Sequence, residues 1–284
     1  MIKNQLKTAA LLATLTALLL GAGTLLGGRT GLLIGGAFAV LMNFGSYFFS
    51  HKIVLWMYKA KPADKKKHAA LYEIVKDVAS RAEIPTPKVF VIQSQSPNAF
   101  ATGRNPKNGI VACTEGILTL LTKEELRGVI AHEMSHIKNR DILIQTIAST
   151  IAGVIGYLAS MAQWAAIFGF GGRDNEQGSN NIIGLLALAI ITPILAMIIQ
   201  LAISRSREYL ADETGAKIIK DPLALASALE KLEKNISHNP LSFGSPSTSS
   251  LFIANPFSAK KMISLLSTHP PMEQRIKRLK EMKF

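Results

Sequence analysis

Apolar residues in this chain fall into two patterns: long uncharged runs, and shorter stretches spaced at helix or strand intervals. No Asp, Glu, Lys or Arg occurs in 8–28, 30–51, 142–172 or 182–204. Each run is long enough to cross a hydrocarbon core of roughly 30 Å, which takes ~20 helical residues at ~1.5 Å rise. The first two, joined by Gly27-Gly-Arg-Thr-Gly31, predict a helical hairpin, with Trp56 and Tyr58 at the depth of an interfacial aromatic belt. From Asp64 to about Ala82, the positions Leu71, Ile74, Val75, Val78 and Ala82 follow helical spacing until Pro85 and Pro87 end it. Lys88–Ile92 and Asn108–Cys113 read as short strands, with a third over Asn98–Gly103. Thr122 and Glu125 form a capping box that opens a helix. Beyond Leu126 that helix is expected to continue into the third apolar run, since no further Pro or Gly follows Gly128 before it. Asp221-Pro222 marks another helix start, 237–258 is a Ser/Pro/Asn/Gly-rich loop, and a basic helix begins near Pro271.

Overall composition, 48% hydrophobic and 18% charged, is close to that of a soluble protein, so the distribution decides the class. Four uncharged runs in 284 residues predict a membrane protein. The net charge of +13 would otherwise suggest nucleic acid. Yet the short connections at Arg29 and Arg173–Glu176 carry two basic and two acidic residues, so the whole excess lies on the other side. Lys3, Lys7, Lys52 to Lys67, Lys138, Arg140, Arg205 and Arg207 flank the runs there. The positive-inside rule makes that side cytoplasmic, with both termini inside. No aromatic-interleaved basic platform for single strands is present, and a cytoplasmic face near anionic lipid accounts for the charge. Cys113, the single cysteine, excludes a disulfide within the chain and reads as a small core filler. His51, His68 and His238 read as interfacial or loop residues, and Arg275 as part of a basic helix.

His132-Glu133-Met134-Ser135-His136 carries candidate chemistry. Two imidazoles at i and i+4 share a helix face and can reach one metal ion, while Glu133 is offset beside it. Two neutral histidines and a carboxylate leave zinc one open position for water, whose proton Glu133 can accept. The third ligand must come from elsewhere. His136 lies six residues before Ile142, and Glu208 lies five beyond Ile203. If 142–172 and 182–204 form an antiparallel hairpin, their extensions meet, with Glu208 as ligand and Asp212, one turn on, orienting a histidine ring.

His132-Glu-x-x-His136 followed by Glu208-x-x-x-Asp212 resembles the HtpX-type membrane proteases of bacteria, relatives of the eukaryotic CAAX prenyl endoprotease. The resemblance extends to Pro97-Asn-Ala-Phe-Ala-Thr-Gly103 and Thr268-His-Pro-Pro271. It implies zinc-dependent endoproteolysis of misfolded or damaged membrane proteins, in quality control and stress response, at the cytoplasmic face of the inner membrane. It also implies that Asn98, Ala99, Phe100, Ala101 and Thr102 form an edge strand pairing with substrate, and that His269 stabilises the oxyanion.

The expected fold is therefore mainly α: four transmembrane helices and a cytoplasmic zincin-like α+β domain with a small β element. Its parts are a hairpin at 1–58, catalytic segments at 59–141 and 205–284, and a second hairpin at 142–204. The expected cofactor is one Zn2+ per chain; the expected partners are membrane-protein substrates and the bilayer, not nucleic acid, with oligomeric state left open. A non-catalytic scaffold or chaperone-like binder is the alternative, and the intact Glu133 argues against it. A zinc transporter would need ligands inside the runs, which hold only Ser, Thr, Gln, Asn and the interfacial His51.

Overall fold

The computed structural model describes residues 2–148, 205–236, 251–254 and 270–283. Ile2–Met57 (α1) is helical along its length but is not one rod. Asn43 Nδ2 donates to Thr16 Oγ1 over 2.7 Å, whereas 27 residues of straight helix would span about 40 Å. The chain reverses at Gly28, whose φ of +56° costs a residue without a Cβ little. A Cβ on Gly23 would stand 2.2 Å from the Gly31 carbonyl oxygen, and one on Gly35 2.5 Å from that of Leu19. The glycines thus serve the packing of the two arms as well as the turn. Among the described residues, Gly28–Met57 is the one helix long and apolar enough to cross a membrane, and Ala9–Gly21 is a shorter apolar helix. The expected runs 142–172 and 182–204 lie outside the described residues beyond Ala148, as do 237–250, His238 and His269.

Both arms are anchored to later parts of the chain. Leu11 and Leu15 pack on Ile147 and Ala148. At the other end Val54, Leu55 and Tyr58 join Phe100, Ala112 and Phe252 in a second cluster, with ring centroids of Tyr58 and Phe252 4.8 Å apart.

The β element is a four-stranded sheet of Lys61–Pro62 (β1), Lys88–Ile92 (β2), Ala99–Thr102 (β3) and Ile110–Thr114 (β4), in the order β1-β2-β4-β3. β2 and β4 are parallel; the other pairs are antiparallel. The start of the last expected strand is instead a 3-10 turn, Pro106–Asn108, whose N-terminus the Asn105 side chain caps. All five residues of β4 are buried, in keeping with its central place and its run of Ile, Val, Ala and Cys. Cys113 is buried there and burial raises its thiol pKa, as suits a core filler.

Helix α2 (Ala69–Ala82) starts later than expected because Asp64 accepts the N–H groups of Lys66 and Lys67 and holds a turn. After β4 come α3 (Glu115–Leu120), which the sequence pattern did not reveal, and α4 (Lys123–Lys138) with its complete capping box. Glu125 does more than cap: it also accepts from Ser227 and Lys231 of α6 (Pro222–Ile236), locking the start of α4 to that helix. Helices α5 (Arg205–Ile219) and α7 (Met272–Glu281) lie on either side of α6 in the chain.

The expectation that α4 continues into the third apolar run is corrected. It ends at Lys138, Arg140 takes φ +56°, and helix resumes over 142–148. Against α4 the neighbouring backbones come very close. A Cβ on Gly128 would lie 2.9 Å from Leu225 Cα, and one on Gly215 2.9 Å from the backbone nitrogen of His132. Few side-chain atoms stand between α4 and α5, which brings their functional residues together.

Candidate metal centre

His132 and His136, one turn apart on α4, turn their Nε2 atoms to within 3.2 Å of each other. Glu208, in the first turn of α5, places Oε2 3.7 Å from His132 Nε2 and Oε1 3.7 Å from His136 Nε2. These three are the set among the described residues whose ligand atoms converge, all within 4.8 Å, and all three are buried. Two nitrogens about 2 Å from a tetrahedral zinc ion lie roughly 3.3 Å apart, so the imidazole pair is already at coordination spacing.

The other ring nitrogens are held by carboxylates, which leaves each Nε2 free as a lone-pair donor. His132 Nδ1 is 2.9 Å from Oδ1 of Asp212, the residue expected to orient a histidine ring. His136 Nδ1 lies 3.1 Å from Asp141 Oδ2, a partner that the sequence pattern did not reveal. The left-handed Arg140 is what turns the chain so that Asp141 faces back to the preceding helix.

Arg275 is the second residue that sequence reasoning missed. It is fully buried, and its Nε and Nη2 donate to Asp212 over 2.8 and 2.7 Å while Nη1 donates to the Ile253 carbonyl. Burial would raise the Asp212 carboxyl, but the Arg275 charge and hydrogen bonds and the His132 contact keep it below its ordinary value. Arg207 is also buried, yet among the described residues its three guanidinium nitrogens have no hydrogen-bond partner; Asp141 and Glu208 act on it electrostatically. Nothing in the local pattern around Arg207 or Arg275 separates them from surface cations.

The histidines differ electrostatically. Burial lowers His132, with Asp212 opposing it. Burial would lower His136 too, but Asp141, Glu208 and Glu133 pull it up to about 10. Three buried carboxylates thus surround His136, a gathering of negative charge that a divalent cation would neutralise. Glu133, also buried, is pushed up to about 8 by desolvation, with Glu208 adding to the rise. The Ala101 backbone N–H acts in the opposite sense and lowers it.

The expected substrate strand Asn98–Thr102 contains β3, and part of its outer edge is occupied. Phe252 bridges Phe100, Ile253 N–H donates to the Ala99 carbonyl, and Asn98 Nδ2 donates to the Ala254 carbonyl. All four β3 residues are buried. Along Ala99–Phe100 the outer edge of β3 is therefore covered by the chain's own 251–254 segment.

The profile of peptidase family M48 matches residues 65–283. Protease HtpX homologs of Syntrophobacter fumaroxidans and Thermococcus sibiricus are 52% and 51% identical to the chain. The first alignment covers 98% of this chain and 99% of the relative; the second covers 97% and 95%. Crystalline Ste24p of S. mikatae shares the fold with a TM-score of 0.54 at 20% identity, over 98% of this chain and 66% of its own length. Two histidines one helical turn apart, a glutamate from the neighbouring helix and a glutamate beside them are the parts a metallopeptidase needs, and the chain belongs to peptidase family M48, among its HtpX-type membrane zinc endopeptidases.

Proposed function

We propose that the protein cleaves misfolded or damaged membrane proteins at the cytoplasmic face of a bacterial inner membrane. In this reading His132, His136 and Glu208 hold one Zn2+, Glu133 is the general base, and Asp212 orients His132. The observation that carries it is the convergence of two Nε2 atoms 3.2 Å apart with a carboxylate 3.7 Å from each. Zinc held there supplies Lewis acidity to the scissile carbonyl and acidity to water.

The chain's own groups do the rest. Glu133, on the same turn as His132 but offset, takes the proton of the attacking water on its carboxylate and delivers it to the leaving amine. The Ala101 backbone N–H favours the ionised form of Glu133, the form that can take that proton. Asp212 and Asp141 hold both imidazoles in the Nδ1–H tautomer, and Arg275 holds Asp212. For His269 the oxyanion role rests on the resemblance. Its support is that α7 starts three residues on and brings Arg275 to the centre.

A four-span arrangement with both termini inside is proposed on three grounds. These are the charge distribution, the apolar Gly28–Met57 helix, and the packing of Leu11 and Leu15 on the start of the third run. Substrate pairing along Asn98–Thr102 requires residues 251–254 to leave the edge they cover. Zinc content and casein hydrolysis of wild type and Glu133→Gln test the central reading. The variant keeps stoichiometric zinc and loses turnover; a variant that hydrolyses casein at the wild-type rate would remove Glu133 from the mechanism.

A further inference from the structure

The cytoplasmic end of α1 carries a cluster that the peptidase reading does not use. Phe48, His51 and Lys52 share one face of that helix, being three and four residues apart. Lys88, at the start of β2, and Arg104, just after β3, join Lys52 as the charged groups whose fields reach His51. Lys88 stands opposite Ile110, which stands opposite Thr102 two residues before Arg104, and Arg104 lies over the Phe48 ring, so cations from three parts of the chain gather at this end of α1; among the described residues none is in an ion pair with a carboxylate. The Nδ1 of His51 is buried without a hydrogen-bond partner among the described residues. Like charges repel, and among the described residues no carboxylate offsets that cost.

The surroundings are those of a membrane surface. Lys52 Nζ lies 5.4 Å from the Phe49 ring and the Arg104 guanidinium 5.4 Å from that of Phe48. Trp56, one turn further, is 80% exposed. In the other direction Phe38, Leu41, Phe44 and Phe48 are exposed at intervals of three and four, forming one apolar stripe. Ten residues of helix make that stripe about 15 Å long, half of a roughly 30 Å hydrocarbon core. A positive cluster at the head of an apolar stripe one leaflet deep matches the shape and charge of a phospholipid with an anionic headgroup.

We infer that His51, Lys52, Lys88 and Arg104 form a binding site for the phosphate of an anionic phospholipid, whose acyl chain lies along Phe38–Phe48. Because Lys88 and Arg104 flank β2 and β3, a lipid bound there joins the sheet beside the metal helix to the membrane helix. This assignment does not depend on which bond the enzyme cleaves.

The test uses the full chain with Trp164→Phe, which leaves Trp56 as the single tryptophan, in bilayer discs of phosphatidylcholine. Brominated phosphatidylglycerol or brominated phosphatidylcholine is added at equal mole fraction, and quenching of Trp56 gives the relative affinity. Phosphatidylglycerol is expected to bind on the order of tenfold or more tightly, with the preference falling at higher salt. Each of Lys52→Gln, Lys88→Gln and Arg104→Gln should reduce it roughly fivefold. Lys65→Gln, Lys66→Gln and Lys76→Gln together make the same charge change or a larger one elsewhere and should leave it intact. Zinc content confirms that each variant is folded. Equal quenching by both lipids, or a preference that survives all three substitutions, overturns the proposal. Full displacement of phosphatidylglycerol by millimolar inorganic phosphate overturns it as well, because the site would then take free phosphate.

Discussion

Asp141 Oδ2 stands 3.1 Å from Nδ1 of His136, five residues earlier in the chain, across the left-handed turn at Arg140. A carboxylate in this position orients the ring and raises its basicity toward metal, and loss of such a partner costs ~10–100-fold in affinity. Asp141→Asn should therefore weaken zinc binding by that order in chelator competition, with secondary structure unchanged. Wild-type affinity in the variant would reduce Asp141 to a packing residue.

Arg275 should be the most costly single position outside the ligands. Replacing it with Met leaves Asp212 buried and charged without a counter-ion, which typically costs about 3–5 kcal/mol. Denaturant unfolding should show that loss together with reduced zinc content. Arg275→Lys keeps the charge but not the fork that reaches both Asp212 and the Ile253 carbonyl, so it should recover only part of both readouts.

Acid should loosen the start of the metal helix. Burial would raise the Glu125 carboxyl, but Lys231, the Thr122 N–H and Ser227 together hold it below its ordinary 4.5. A depressed carboxyl contributes stability that is present above 4.5 and lost as pH falls through the lowered folded value. Melting temperatures should therefore fall more steeply below about pH 4.5 in wild type than in Glu125→Gln. Equal slopes would show that the Lys231 contact contributes nothing to folding.

The cover on β3 can be locked. Phe100 and Phe252 are directly opposed across the bridge, so Phe100→Cys with Phe252→Cys allows a disulfide between them. Oxidation should leave zinc in place and suppress hydrolysis of protein substrates, and reduction should restore it. Equal activity in both states would mean that substrate binds without entering this edge.

Where function depends on local spacing, the pattern of residues was enough to find it. The capping box at Thr122 and Glu125, the paired histidines and the strand at 88–92 appear where the pattern puts them, and the run expected at 98–103 holds the strand Ala99–Thr102. Glu208 was reachable because two uncharged runs, read as an antiparallel hairpin, bring their extensions to the same side. Arg275 and the 252–254 segment were not legible, since they reach the site through contacts 63 and more residues apart in sequence. The break at Arg140 was hidden for a different reason. No Pro or Gly marks it, and an ordinary side chain takes the left-handed conformation there. Asp141, five positions after His136, lies close enough in sequence for its return to that ring to be inferred once the break is known.

The close approach at Gly215 also bears on which ion the site prefers. A methyl group there would meet the backbone of Ala131 and His132 at 2.9–3.0 Å, tighter than ordinary packing allows, so α4 and α5 would part by a few tenths of an ångström. His132 and His136 ride on one of those helices and Glu208 on the other. One hydrogen atom, outside the coordination sphere, thus acts as a spacing gauge for ionic radius. Gly215→Ala should shift the balance from zinc toward a larger ion such as cadmium in competition dialysis, and metal selectivity in this scaffold becomes something that selection or design can adjust without altering a single ligand.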